Sequence, residues 1–297
     1  MIDPKVLVKN GVHYGHKASV WDPRMAPYIW GKKDDVYLID VSKTAYLLDK
    51  AAKFLESIVA SGRPILWVGT KKAAQAAVEK AGKELKLPFV THRWIGGTLT
   101  NFRQVRKSVA NFLHYKDIIV KSEQFNYTKK ELNKFQKNID KLEQNIGGIV
   151  NLTWPVGALV VVDVKKEHVA IKEAKTMGVP VVAIVDTNCD PSLIDYIIPA
   201  NDDAPKSIEI IMNYLAEAVK ASQAVAAEKP SEEQIIEESV VEQMIAMEPE
   251  EETEGSARKA KTQAKVVAIK APNKKIISKR PGKPSNGKKF DDESSAA

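Results

Sequence analysis

Ala158-Leu159-Val160-Val161-Val162-Asp163 is a near-continuous apolar run ending on an acid, and Pro180-Val181-Val182-Ala183-Ile184-Val185-Asp186 repeats the pattern. Short apolar runs bounded by turn residues mark strands buried on both faces, as in a parallel sheet. Upstream, Pro64-Ile65-Leu66-Trp67-Val68 reads the same way. Phe89-Val90 is a shorter strand, and Val36-Tyr37-Leu38-Ile39 begins the series. Helical periods lie between them. Ser42 stands as the N-cap of a helix whose apolar face holds Leu47, Leu48, Ala51, Phe54, Leu55 and Ile58. A second helix runs from about Lys72 to Leu85, and Asp3-Pro4 opens a short one at the N-terminus. Strands alternating with helices from Val36 to about Ala227 predict a doubly wound α/β fold.

One segment breaks the rhythm. Phe102, Val105, Val109 and Phe112 repeat at coiled-coil spacing, and so do Leu132, Phe135, Ile139, Leu142 and Ile146. The polar stretch from Lys121 to Thr128 separates them. The pattern predicts an antiparallel helical hairpin, residues 102–146, inserted into an α/β domain of residues 1–227. Two ordinary packing helices are the plainer alternative. Residues 228–297 differ in composition. An acidic block, 228–254, has eleven glutamates and one lysine; a basic block, 256–290, has twelve Lys or Arg and no acid. Such blocks predict a disordered charged tail, with a transient amphipathic helix over 233–247.

The net charge is +7, and because the tail nearly cancels itself, residues 1–227 hold +8. A polyanionic partner is favoured. A single cysteine, Cys189, excludes an intramolecular disulfide and a multi-cysteine zinc site, and fits a reducing compartment. No apolar run approaches the roughly 18 residues needed to span a membrane. No signal-peptide pattern opens the chain. Together these point to the cytoplasm.

Four chemistries compete for the polar residues. Val68-Gly69-Thr70-Lys71-Lys72 has neither the dinucleotide nor the Walker glycine spacing. Lys71 and Lys72 at a helix start suit a backbone phosphate, or a merely solvated first turn. Cys189 follows a strand end, where α/β active sites lie, but no nucleophile motif surrounds it. No catalytic residue is assigned. A metal site would draw on His13, His16, Asp186, Asp190, Asp202 and Asp203, a set suited to structural zinc or magnesium. The plainer reading has the aspartates capping turns. RNA binding unites most features: Arg93, Arg103, Arg106 and Lys107 surround Trp94 and Phe102, and Arg24, Lys32 and Lys33 flank Trp21, Tyr28 and Trp30. Cations contact phosphates and aromatic planes stack on bases. Trp94 fits a core position equally well.

Several ordered motifs carry a resemblance. They include Gly11-Val12-His13-Tyr14-Gly15-His16, Trp21-Asp22-Pro23-Arg24-Met25, and His92-Arg93-Trp94-Ile95-Gly96-Gly97-Thr98-Leu99-Thr100-Asn101. Later come Ile146-Gly147-Gly148, Glu167 to Ala174, Asp186-Thr187-Asn188-Cys189-Asp190-Pro191, and Ile198 to Ala204. Over residues 1 to about 227 the chain resembles the small-subunit ribosomal protein 2 family in its bacterial or organellar form. That resemblance implies a flavodoxin-like (Rossmann-like) parallel sheet with the inserted hairpin, and no catalytic activity or required cofactor. It implies small-subunit rRNA and small-subunit ribosomal proteins as partners, especially small-subunit ribosomal protein 1, which engages mRNA. It implies no membrane and no small-molecule substrate. The long tail departs from the pattern. The competing expectation is an α/β enzyme or metal-binding protein working at the strand-end crevice.

Overall fold

Asp3 caps α1 (Pro4–Lys9) by accepting the Lys5 N–H at 2.9 Å. Then β1 (Tyr14–Lys17), β2 (Ile29–Lys33) and β3 (Val36–Ile39) form an antiparallel sheet in the order β1-β3-β2. Val36–Ile39 therefore belongs to this small sheet and not to the parallel series. The cause is local. Asp34 and Asp35 take φ of 49° and 62°, the positive pair that a tight hairpin turn requires, so the chain folds straight back on β2. In α2 (Val41–Ala60) the cap is also not where the sequence placed it. Asp40, not Ser42, caps the helix, accepting the Ser42 N–H at 3.0 Å.

The computed structural model describes residues 2–121 and 128–228; the charged tail from 229 onward, with its expected disorder and transient helix, lies outside the described residues. Beyond α2 come β4 (Ile65–Val68), α3 (Lys72–Leu85), β5 (Phe89–Val90), α4 (Phe102–Val120) and α5 (Lys129–Ile146). They are followed by β6 (Ala158–Val162), α6 (His168–Thr176), β7 (Val181–Val185), β8 (Tyr196–Pro199) and α7 (Pro205–Glu228). Five strands pair in parallel in the order β5-β4-β6-β7-β8, with β4 and β6 as neighbours at the point where the order reverses.

Alternation along each strand builds two cores. Ile65, Trp67, Val160, Val182 and Ile184 point into one, covered by α2, α3 and α7. Leu66, Val68, Leu159, Val161, Val181 and Ala183 point into the other, with Ile171 and Ala174 of α6. The hairpin joins this second core. Val105 and Phe112 of α4 and Ile139 and Ile146 of α5 are buried with the strand residues. Its root is thus core, while its far part is a two-helix seam on which Tyr115 and Phe135 stack with centroids 5.8 Å apart.

Gly148 fixes that root. It follows α5 in a short 3-10 turn, Gly147–Ile149, that covers the exposed edge of β5. A β-carbon on Gly148 would fall well inside van der Waals contact of the Phe89 carbonyl oxygen and 3.0 Å from the Phe89 ring.

Candidate nucleic-acid interface and strand-end cluster

In doubly wound sheets, ligands sit outside the strand C-termini where the order reverses. Here that place lies between β4 and β6, and the chain's own side chains fill it. Glu167 accepts the Thr70 N–H at 3.1 Å and also the Thr70 hydroxyl. Lys166 Nζ donates to the Thr70 carbonyl at 2.8 Å. A carboxylate therefore holds the backbone N–H that a phosphate would use at this turn. Burial pushes Glu167 above the ordinary carboxylate range, although the Thr70 hydrogen bonds oppose the shift.

Lys71 does not face outward. Its ammonium lies 2.7 Å from Asp202, 3.7 Å from Asp163, and against Asp203. Desolvation opposes its charge, but Asp202 and Asp203 outweigh this and raise its pKa. Beside it, Gly15 brings β1 tight against Thr187, and the His16 N–H donates to Thr187 Oγ1 at 2.8 Å. That approach sets the His16 ring between Asp186, at 3.1 Å, and Asp203, at 3.3 Å. A hydrogen-bond partner in Asp186 raises the His16 pKa. Desolvation and then the Asp186 charge push Asp202 up to about 7.

Ligand atoms of His16, Asp186 and Asp202 lie within 4.8 Å of one another. Asp203 joins them through His16 and Lys71. His13 and Asp190, the other two expected ligands, do not. The His13 ring rests on Tyr14 at 4.1 Å, and Asp190 caps the turn at Ser192 and pairs with Arg24. Cys189 is buried, its thiol pushed up to about 12 by desolvation, which makes it a poor nucleophile at neutral pH.

The second organising carboxylate, Glu173, carried no expected role. It sits on the apolar face of α6 beside Ala170 and Ala174, an unusual place for an acid that could have drawn notice. Its oxygens accept from Trp94 Nε1 at 3.0 Å and from the N–H groups of Gly97 at 2.8 Å, Leu99 at 3.1 Å and Thr100 at 3.3 Å. The Thr100 hydroxyl adds a fifth donor at 3.2 Å. Trp94 is therefore buried framework and not a stacking platform. Burial would raise the Glu173 pKa, but these donors more than offset it and hold the carboxyl below its ordinary range. A group with a depressed folded pKa contributes stability above its unfolded pKa and loses it as pH falls through the folded one. At neutral pH Glu173→Gln is expected to cost about 2–3 kcal/mol, because amide hydrogens would face N–H donors. The melting gap between the two proteins should narrow below about pH 4, where glutamate protonates. Thermal melts at both pH values check this; a constant gap would sink the account.

The loop clamped by Glu173 leads directly into α4 and presents cations. Arg93, Arg103, Arg106 and Lys107 are exposed, as are Lys33 and Lys72, and among the described residues none of the six forms a salt bridge. Arg106 lies over the Phe102 ring at 5.9 Å. Arg24, Lys32 and Lys71 are instead engaged internally: Arg24 with Asp22 at 2.8 Å and with Asp190, Lys32 with Asp35 at 2.7 Å, and Lys71 as above. Four of the nine expected cations thus stand exposed on the loop before α4 and its first turns, Lys33 and Lys72 are exposed elsewhere, and Arg24, Lys32 and Lys71 are turned to carboxylates of their own domain.

The chain is thus an α/β domain whose switch point is occupied by Thr70, Lys166 and Glu167, with a helical hairpin that bears exposed cations at its root. Comparison with known proteins gives its family. The profile of the family described as Ribosomal protein S2 matches residues 7–222. The chain is 48% identical over 220 residues to the small ribosomal subunit protein uS2 of Cytophaga hutchinsonii, covering 74% of this chain and 86% of that protein. It is 44% identical over 213 residues to the uS2 protein of Chlorobium chlorochromatii, covering 72% and 85% respectively. The chain belongs to the ribosomal protein S2 family, whose members are structural proteins and not enzymes. No helix among the described residues is long and apolar enough to cross a membrane.

Proposed function

We propose that this chain is a structural constituent of the small ribosomal subunit in the bacterial cytoplasm. There it binds small-subunit rRNA, supports subunit assembly and translation, and helps anchor small-subunit ribosomal protein 1. The observation that carries the RNA contact is the group Arg93, Arg103, Arg106 and Lys107, which forms no salt bridge among the described residues and is held at one end of the hairpin by the Glu173 clamp. Cations left free of carboxylates on a framed loop suit a phosphate backbone. At the switch point Glu167 holds the Thr70 N–H that a phosphate would use, which speaks against a nucleotide there.

The protein partner is assigned to the small antiparallel sheet. Trp30 falls in a bulge of β2, between the pairs made by Ile29 and Gly31, and is 76% exposed. Bulges re-aim side chains. Tyr14 on β1 is 53% exposed. Asp34 and Asp35 offset two of the three lysines at 17, 32 and 33, which leaves these five residues with a net charge of +1, against +4 for the four cations at the hairpin root. Exposed aromatics with a mixed-charge rim suit a protein contact. A structural zinc or magnesium ion is assigned to His16, Asp186 and Asp202. His16 and Lys71 stand against a concentration of acidic side chains, Asp163, Asp186, Asp202 and Asp203, whose oxygens together with the His16 ring are a donor set that suits a divalent cation. Metal content of the purified chain, with and without Asp186→Asn, reads this directly.

The test of the main reading is sucrose-gradient sedimentation of a tagged chain from cells. The chain should travel with small subunits and move to the top of the gradient after RNase digestion. A chain that stays at the top without RNase would contradict the proposal.

A further inference from the structure

The outer face of α5 carries a feature that the root cations do not explain. Lys130, Lys134, Lys137 and Lys141 are all exposed and follow one another at steps of four, three and four. At 3.6 residues per turn they form one stripe, about 16 Å long, on the side of the helix opposite its apolar seam. The other residues within about 70° of the centre of that stripe are Asn133, Asn138, Gln144 and Asn145, all neutral. The nearby acids are occupied elsewhere. Glu131 closes the capping box, its carboxylate taking the Thr128 N–H at 2.9 Å. Asp140 accepts from Gln136 at 2.7 Å, and Glu143 pairs with Lys116 of α4 at 2.9 Å. Among the described residues the four lysines form no salt bridge.

Such a stripe disfavours the isolated helix. Like charges four apart repel, and Lys129 and Lys130 in the first turn oppose the helix dipole. A polyanion along this face reverses the balance.

We propose that the α5 stripe tracks the phosphates of one strand of double-helical RNA, as a contact separate from the cations at the hairpin root. The inference rests on the rRNA-binding reading and specifies its form. A capped helix zipped to α4 is a rigid line of charge, which suits the regular phosphates of a duplex. Binding to an unpaired strand relies on aromatic platforms for the bases. This face has none, since Phe135 is turned inward onto Tyr115. Lysine ammoniums contacting phosphates from one helix face carry no base readout, so recognition is by shape and charge.

The experiment uses the full chain, a blunt RNA duplex of arbitrary sequence, and single-stranded polyuridine of equal length. Binding is measured across a salt series for the wild type, for K130Q/K134Q/K137Q/K141Q, and for R103Q/R106Q/K107Q. Glutamine keeps the helix propensity at exposed positions, and circular dichroism verifies the fold. The four-lysine variant should lower the slope of log affinity against log salt on the duplex by roughly 3.5. Its effect on polyuridine should be small. An unchanged duplex slope, with the root variant still weakened, would overturn the stripe and leave the RNA reading standing. Equal losses on both ligands would overturn the duplex assignment. A wild-type chain whose duplex binding ignores salt would overturn both.

Discussion

Gly148→Ala is expected to destabilise the domain by about 2–3 kcal/mol, a typical cost of forcing a methyl group into a packed site. For a domain of this size that is a fall in Tm of about 5–10 °C. The added β-carbon meets the Phe89 carbonyl oxygen, which is backbone and cannot swing away, and the Phe89 ring is already pressed against Gly82. Relief requires the turn after α5 to lift from the edge of β5. The root of the hairpin would then lose its seat, so incorporation into small subunits should fall with stability. Gly96→Ala is the control, since a β-carbon there meets nothing within 4 Å. Thermal melts of the two variants decide the matter; equal Tm values would show that the glycine at 148 is incidental.

The parallel sheet was legible because burial on both faces leaves an unbroken apolar run, as in Ala158–Val162 and Val181–Val185. The hairpin was legible because its seam repeats at helical spacing. The small antiparallel sheet was not. Tyr14–Lys17 and Ile29–Lys33 are half-exposed and lack clean alternation, and a bulge interrupts the second. The cap of α2 was misplaced by two residues because Asp40 and Ser42 are both capable acceptors, and only the backbone path selects between them.

Site residues divide in the same way. Charge type is visible in sequence, but pairing is not. Lys71 and Lys107 look alike until Asp163, Asp202 and Asp203 arrive around the first from other strand ends. His13 and His16 look like a pair, yet His13 lies in the turn before β1 with its ring on Tyr14, while Gly15 brings His16 of β1 within reach of Asp186. Glu167 and Glu173 were visible only as acids in a helical block. Their roles depend on donors about seventy to a hundred residues away in the chain, a separation no local pattern spans.

Reversing charge at the hairpin root, R103E/R106E/K107E, should weaken association with small-subunit RNA by about two orders of magnitude. Taking three cations off the phosphate backbone lowers the salt slope by roughly 3, and three new negative charges add repulsion. The fold should survive. All three side chains are exposed, none forms a salt bridge among the described residues, and the buried α4 residues Val105 and Phe112 are untouched. Within the domain itself, the change removes the packing of Arg106 over Phe102, worth about 0.5–1 kcal/mol at an exposed site. Lys32→Gln separates charge from position. Lys32 already serves Asp35, so its removal should change RNA binding little. Melting curves and the salt dependence of binding to small-subunit RNA read the two effects independently. A folded triple variant that binds with the wild-type slope would remove the hairpin root from the RNA interface. The α5 lysine stripe, with the exposed Lys33 and Lys72, would then have to carry the RNA contact.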